Sequence, residues 1–112
     1  MQIVKSSQTN KVIPTKSTKI FEYLMDEETI NCSVAQINGS YPENGFAVNE
    51  ICKELVFIIN GTGHIVTEKD KQAFVVGDAI LIDRGEKFRW EGNFSIFMVT
   101  TPKFSADQHK IV

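Results

Sequence analysis

Short runs rich in β-branched and aromatic residues, separated by turn-forming segments, dominate the sequence and restrict it to an all-β fold. These runs cover residues 20–25, 30–37, 54–60, 64–67, 72–76, 79–83, 87–90 and 94–101. The segments between them, such as NGSYPENG, GTG and EGN, have the composition of turns. Since no longer window carries an apolar stripe with helical spacing, the pattern predicts an antiparallel sandwich or small barrel.

Length and charge indicate one small domain and exclude two classes of partner. A chain of 112 residues fits a single domain, and we expect a polar arm over residues 1–19 followed by a barrel over residues 20–112. The arm has room for one edge strand. The net charge of −2, without a run of Lys and Arg, argues against nucleic acid as a partner. With no secretory signal and no apolar run long enough to cross a bilayer, the sequence predicts a cytoplasmic protein without a membrane partner.

Two motifs in the middle of the chain resemble those of the cupin superfamily. The first, E-LVFIIN-G, runs from Glu54 to Gly61, and the second, G-DAILI-DRG, runs from Gly77 to Gly85. Their order, and the hairpin between them, also fit that family. The resemblance implies a single small antiparallel β-barrel of the jelly-roll or double-stranded β-helix type. It also implies a homodimer, in which the N-terminal strand is often exchanged between subunits.

The residues that hold a metal ion in many cupins are missing from this chain. The two histidines of the first motif fall on Ala47 and Asn49, or on Val48 and Glu50 with a shorter spacing, and the histidine of the second motif falls on Phe88. Of the ligand set, Glu54 alone remains, which is too few donors for a divalent site. The sequence therefore predicts no metal and no cofactor.

An unusual metal site is the alternative to this prediction. It would draw its ligands from the remaining donor side chains, which are Glu50, Cys52, Glu54, His64 and His109. The two cysteines, Cys32 and Cys52, are predicted to be half-buried free thiols that act as small hydrophobic side chains.

Strand alternation predicts which side chains face the inside of the barrel. If Glu54 points inward, Val56 and Ile58 do so too, and Phe88 and Trp90 form a second inward pair. With Met98 from the last strand, they give an aromatic and apolar pocket that carries one carboxylate. The predicted ligand-binding residues are Asn49, Glu54, Phe88, Trp90 and Met98.

Three functions are compatible with such a barrel. The first is a metal-free cupin that binds a small molecule, such as a carbohydrate or another polar metabolite. The second is a sugar or sugar-nucleotide isomerase or epimerase that uses Glu54, although no inward-facing His–Tyr pair is evident from the positions of Tyr23 and Tyr41. The third is a structural dimerisation module whose interior is filled by its own side chains.

Overall fold

Nine β-strands and two short 3-10 turns make up the protein in a computed structural model that describes residues 1–112. The strands are β1 (Asn10–Thr15), β2 (Thr18–Tyr23), β3 (Asn31–Tyr41), β4 (Ala47–Asn49), β5 (Lys53–Val66), β6 (Lys71–Phe74), β7 (Ala79–Ile82), β8 (Lys87–Thr101) and β9 (His109–Ile111). The 3-10 turns cover Ser6–Gln8 and Ala106–Gln108. All strand pairs are antiparallel, which confirms the predicted all-β class. No helix is long and apolar enough to cross a membrane.

Strand β8 lies at the centre of the fold and joins its two halves. It pairs with all of β3 on one side and with β5 on its other side, while β2 and β1 extend the sheet beyond β3. The sheet curls so that every second side chain faces one shared interior. The core contains residues from six strands, β3 to β8, among them Ala35, Val56, Ile58, Trp90 and Ile96.

Glycines bend the two longest strands where the sequence predicts separate strands. Residues 54–60 and 64–67 belong to the single strand β5, and residues 87–90 and 94–101 belong to β8. Gly63 and Gly92 are register partners, and a Cβ atom on Gly63 would lie 2.4 Å from the carbonyl oxygen of Glu91. The absence of a side chain therefore lets the two strands curve around each other without breaking their pairing.

The N-terminal segment lies at one edge of the sheet. Strand β1 pairs with β2, which begins at Thr18, inside the segment that the sequence assigns to the arm. Strand β1 is thus an edge strand of the sheet in the single chain. Exchange of this strand between two subunits stays a prediction.

The C-terminal segment returns to the barrel in a way that the sequence did not predict. After the turn Ala106–Gln108, strand β9 pairs with β4 and sets His109 opposite Asn49. Strand β4 also pairs with β8, through Ala47 and Phe88. The last residues thus complete the wall of the interior near Phe88.

Candidate functional site

The interior of the barrel holds a cavity of about 380 Å³ rather than a fully packed core. Four of the five predicted ligand-binding residues line this cavity, namely Glu54, Phe88, Trp90 and Met98. The fifth, Asn49, is buried but is not among the lining residues. The structure therefore places Asn49 behind the wall, where it holds other side chains in position.

Glu54 is a buried acid without a cationic partner. It alternates with Val56 and Ile58 along β5, and its residue surface is 7% exposed. It forms no salt bridge, and of the nearby cations Lys53 approaches Asp83 and Arg89 binds Glu91. Burial raises the pKa of Glu54 from its usual 4.5 to about 7. Such a carboxyl group can both take up and release a proton near neutral pH.

A tyrosine–histidine pair that sequence analysis missed lies in the same cavity. The hydroxyl group of Tyr41, at the end of β3, is 2.8 Å from Nε2 of His109, at the start of β9. Both residues line the cavity with Glu54. Burial and, to a smaller extent, the charge of Glu54 raise the pKa of Tyr41. The phenol therefore keeps its proton, and Tyr41 and Glu54 interact electrostatically.

Hydrogen bonds behind the cavity fix the orientation of His109. The Oε1 atom of Gln108 accepts the backbone N–H groups of Ile51 and Cys52, each at 3.1 Å, so its amide nitrogen must face the other way. That nitrogen donates to Oδ1 of Asn49 at 3.1 Å. The same oxygen lies 2.8 Å from Nδ1 of His109, which is therefore the protonated nitrogen of the ring.

The direction of the Tyr41 hydrogen bond follows from this tautomer. Burial lowers the pKa of His109, so that the ring is neutral and Nε2 carries a lone pair. Nε2 accepts the hydroxyl hydrogen of Tyr41. The lone pairs of the Tyr41 oxygen remain available to a hydroxyl or N–H group of a molecule in the cavity.

The residues at the cupin metal positions do not fit a divalent ion. Phe88 stands where the second-motif histidine would be, and it packs edge-on against Trp90 with ring centroids 6.3 Å apart. Asn49 uses its oxygen for Gln108 and His109. No three His, Cys, Asp or Glu side chains come together anywhere in the chain as a set of metal ligands.

The donors of the alternative metal site do not come together as a set of three either. Cys52 is buried and donates its thiol hydrogen to the carbonyl oxygen of Pro102, with Sγ at 3.2 Å. His64 lies farther along β5, in register with Glu91, and is not among the residues that line the cavity. The side chains in the cavity that are suited to proton transfer are therefore Glu54, Tyr41 and His109.

Comparison with solved structures identifies the architecture. Pac13 from Streptomyces, described as a unique nucleoside dehydratase, has a TM-score of 0.88 at 9% identity, covering 100% of this chain and 91% of that chain. Variants of Pac13 are known with uridine. Ectoine synthase from P. lautus has a TM-score of 0.77 at 16% identity, covering 100% of this chain and 90% of that chain.

A third similar structure carries the family name itself. An RmlC-like cupin from Shewanella frigidimarina has a TM-score of 0.72 at 9% identity, with 88% of each chain covered. No protein-family model and no curated protein matches the sequence. The curled antiparallel sheet, the two glycine-containing motifs and these structural likenesses agree, and the chain has the fold of the cupin superfamily.

Proposed function

We propose that this protein is an enzyme that moves a proton within a small polar molecule bound in the barrel cavity. The reaction class is isomerisation or loss of water. One observation carries the proposal: a buried carboxyl group with a pKa of about 7 faces the same cavity as an oriented Tyr41–His109 pair. A purely structural interior would replace an unpaired buried acid by an apolar side chain, because the buried acid costs stability.

Glu54 is the group that carries the proton. In its ionised form it takes a proton from a carbon atom next to a carbonyl group of the substrate. In its protonated form it returns the proton, either to another carbon atom, which gives an isomer, or to a leaving hydroxyl group, which departs as water. In both cases Glu54 ends in the state in which it began, so that no further reactant is needed.

Tyr41 orients the substrate for this transfer. Its hydrogen is directed to Nε2 of His109, so its oxygen accepts a hydrogen bond from a substrate hydroxyl group. His109 in turn is held through Asn49, and Trp90 and Phe88 give the cavity an apolar wall for the rest of the molecule. That Pac13 is described as a nucleoside dehydratase supports the dehydration arm of the proposal.

Proton exchange with solvent tests the proposal without knowledge of the product. Sugars, nucleosides and small hydroxy ketones are incubated with the protein in D₂O, and loss of carbon-bound hydrogen is followed by NMR. We expect exchange with at least one compound, and its loss in Glu54→Gln. Glu50→Gln, which removes an exposed carboxyl group nearby, is the matched control and keeps the activity. Full exchange by Glu54→Gln would refute the proposed role.

A homodimer is the second candidate role, because one face of the sheet exposes a row of apolar side chains to solvent. Leu55, Phe57, Leu81 and Phe97 all lie on the outer face of neighbouring strands and are at least one-third exposed. We propose that a second copy of the chain covers this face in the cytoplasm. Light scattering is expected to give twice 12.6 kDa, and Phe57→Lys is expected to give a monomer. A monomeric wild-type protein would contradict this assignment.

A further inference from the structure

The side chain of Asn31 is buried beside the cavity without a hydrogen-bond partner. The residue is 8% exposed, lines the cavity, and has its Oδ1 atom buried with no donor in reach. A buried amide oxygen without a hydrogen-bond donor destabilises the folded protein unless another molecule donates a hydrogen bond to it. Asn31 belongs to neither of the two cupin motifs, and the roles of Glu54, Tyr41 and His109 do not require it.

Strand register puts Asn31 in one row with the proposed catalytic carboxyl group. Asn31 on β3 is opposite Thr100 on β8, and Thr100 is opposite Glu54 on β5. All three residues are buried and line the cavity. Because neighbouring strands lie about 4.8 Å apart, Asn31 and Glu54 are about 10 Å apart along the sheet. A molecule the size of a sugar ring can contact both, with the Thr100 hydroxyl group between them.

The charge of the cavity restricts which molecules can bind along the row formed by Asn31, Thr100 and Glu54. The lining contains two acids, Glu22 and Glu54, and neither Lys nor Arg. A phosphate or carboxylate group placed inside would lack a cationic partner and would face carboxylates at close range. Hydroxyl groups suit the row better, since they can donate to or accept from an amide, a threonine hydroxyl and a carboxyl group.

We propose that Asn31 determines ligand specificity, and that the cavity takes uncharged polyhydroxylated molecules, sugars or nucleosides, in preference to their phosphorylated forms. The inference rests on the proposed function and names the substrate class of that site. Asn31 binds a hydroxyl group of the ligand at one end of the row, and Glu54 faces the reacting carbon atom at the other. The cavity volume of about 380 Å³ lies within the range of small-molecule sites.

Matched pairs of probes test this proposal in binding experiments. Calorimetric titration compares uridine with uridine 5′-phosphate, ribose with ribose 5-phosphate, and glucose with glucose 6-phosphate. We expect an uncharged member to bind and its phosphate to bind at least about tenfold more weakly. Absence of binding by every uncharged probe, or equal binding by the phosphates, would overturn the proposal.

Substitution of Asn31 adds a readout that a merely structural residue would not give. Asn31→Leu has nearly the same volume and removes the unpaired amide, so we expect a higher Tm together with about tenfold weaker binding of the best probe. Asn38→Leu, on the exposed side of the same strand, is the control and keeps full affinity. If the leucine variant does not fold, Asn31→Ser is expected to bind with intermediate affinity. Unchanged affinity in the folded variant would overturn the role of Asn31.

Glu54→Gln separates this inference from the proposed function. If the enzyme proposal holds, this variant binds the best probe but exchanges no carbon-bound hydrogen. If wild-type protein binds the uncharged probe through Asn31 but catalyses no exchange with any compound, the enzyme proposal fails and the specificity of the site stands. If exchange occurs but substitution of Asn31 leaves probe binding unchanged, the enzyme proposal stands and the role of Asn31 in specificity fails.

Discussion

The hydroxyl group of Tyr41 and the Nε2 atom of His109 are 2.8 Å apart, although the two residues are 68 positions apart in the sequence. Two strand pairings create this contact. β3 ends with Tyr41 opposite Trp90 on β8, and β9 begins with His109 opposite Asn49 on β4. The C-terminal residues are therefore part of the cavity wall, and they bring to it a neutral histidine whose tautomer is fixed from behind.

Removing the hydroxyl group of Tyr41 is expected to impair activity without unfolding the protein. Tyr41→Phe keeps the ring but loses the acceptor for the substrate, and we expect carbon–hydrogen exchange to fall by about 10²-fold. Tyr23→Phe, on the same barrel but not among the residues lining the cavity, is the control and retains its rate. Rates are measured by NMR in D₂O, with circular dichroism to check the fold. Equal rates for Tyr41→Phe and wild-type protein would refute the role of this hydroxyl group.

The Gln108 side chain is expected to have two separable effects. Gln108→Ala leaves the N–H groups of Ile51 and Cys52 without an acceptor, and we expect a loss of about 2–4 kcal/mol in the free energy of unfolding, measured in urea. Gln108→Glu keeps an acceptor for both groups but cannot donate to Asn49. We expect it to lose less stability than the alanine variant.

The tautomer of His109 distinguishes the two variants further. In wild-type protein the long-range ¹H–¹⁵N NMR spectrum is expected to show a protonated Nδ1, because Asn49 presents its oxygen there. In Gln108→Glu the amide of Asn49 is free to reverse, which removes the preference for that tautomer. An unchanged spectrum in Gln108→Glu would mean that Gln108 does not control the histidine.

The sequence predicts those features of the site that depend on strand periodicity, namely which side chains of a strand share a face. Alternation predicts which side chains share a face with Glu54 or with Phe88 once these point inward, and Glu54, Trp90 and Met98 all line the cavity. The position of Asn49 came from a motif instead, and its contacts depend on β9, a strand of three residues with no composition signal of its own. The contact of Tyr41 with His109 joins two distant segments, so no local pattern could have predicted it.

Strands that the sequence predicts as separate are joined in β5 and β8, and this difference also depends on contacts between distant segments. Gly61 and Gly92 both adopt positive φ angles, which the sequence signals correctly as places where the backbone departs from a regular strand. Whether such a place ends a strand or only bends it depends on the neighbouring strands. Here β5 and β8 keep their register through Gly63 and Gly92, so each strand is bent but continuous.

Adding a methyl group at Gly63 is expected to destabilise the barrel. Its Cβ atom would lie 2.4 Å from the carbonyl oxygen of Glu91 and 2.9 Å from the ring of Phe74, and the first of these is backbone that cannot move without breaking the strand pair. We expect Gly63→Ala to lose about 3 kcal/mol in the free energy of unfolding. Gly77→Ala meets no atom within 4 Å and incurs only the strain of its positive φ, so it should lose less. Equal losses of unfolding free energy in Gly63→Ala and Gly77→Ala would show that the close approach of Glu91 is not the reason why position 63 requires glycine.

Glu54 is expected to make the stability of the protein depend on pH in a direction opposite to that of most carboxyl groups. Its pKa is about 7 in the folded protein and near 4.5 in the unfolded chain, because burial disfavours the charged form. Below about pH 4.5 both states are protonated and Glu54 has no effect. Between about pH 4.5 and 7 the unfolded chain releases its proton first, and stability falls by about 3 kcal/mol in total.

The variant Glu54→Gln isolates this contribution, because the other groups titrate equally in both proteins. Free energies of unfolding from urea titrations are expected to decline less for the variant as the pH rises from about 4.5 to 8, by about 3 kcal/mol. Glu50→Gln, an exposed carboxyl group on the neighbouring segment, serves as the control and follows the wild-type curve. Parallel curves for wild-type protein and Glu54→Gln would mean that Glu54 ionises normally in the folded state. The carboxyl group would then be fully charged near neutral pH, and it could not return a proton to the substrate as the proposed reaction requires.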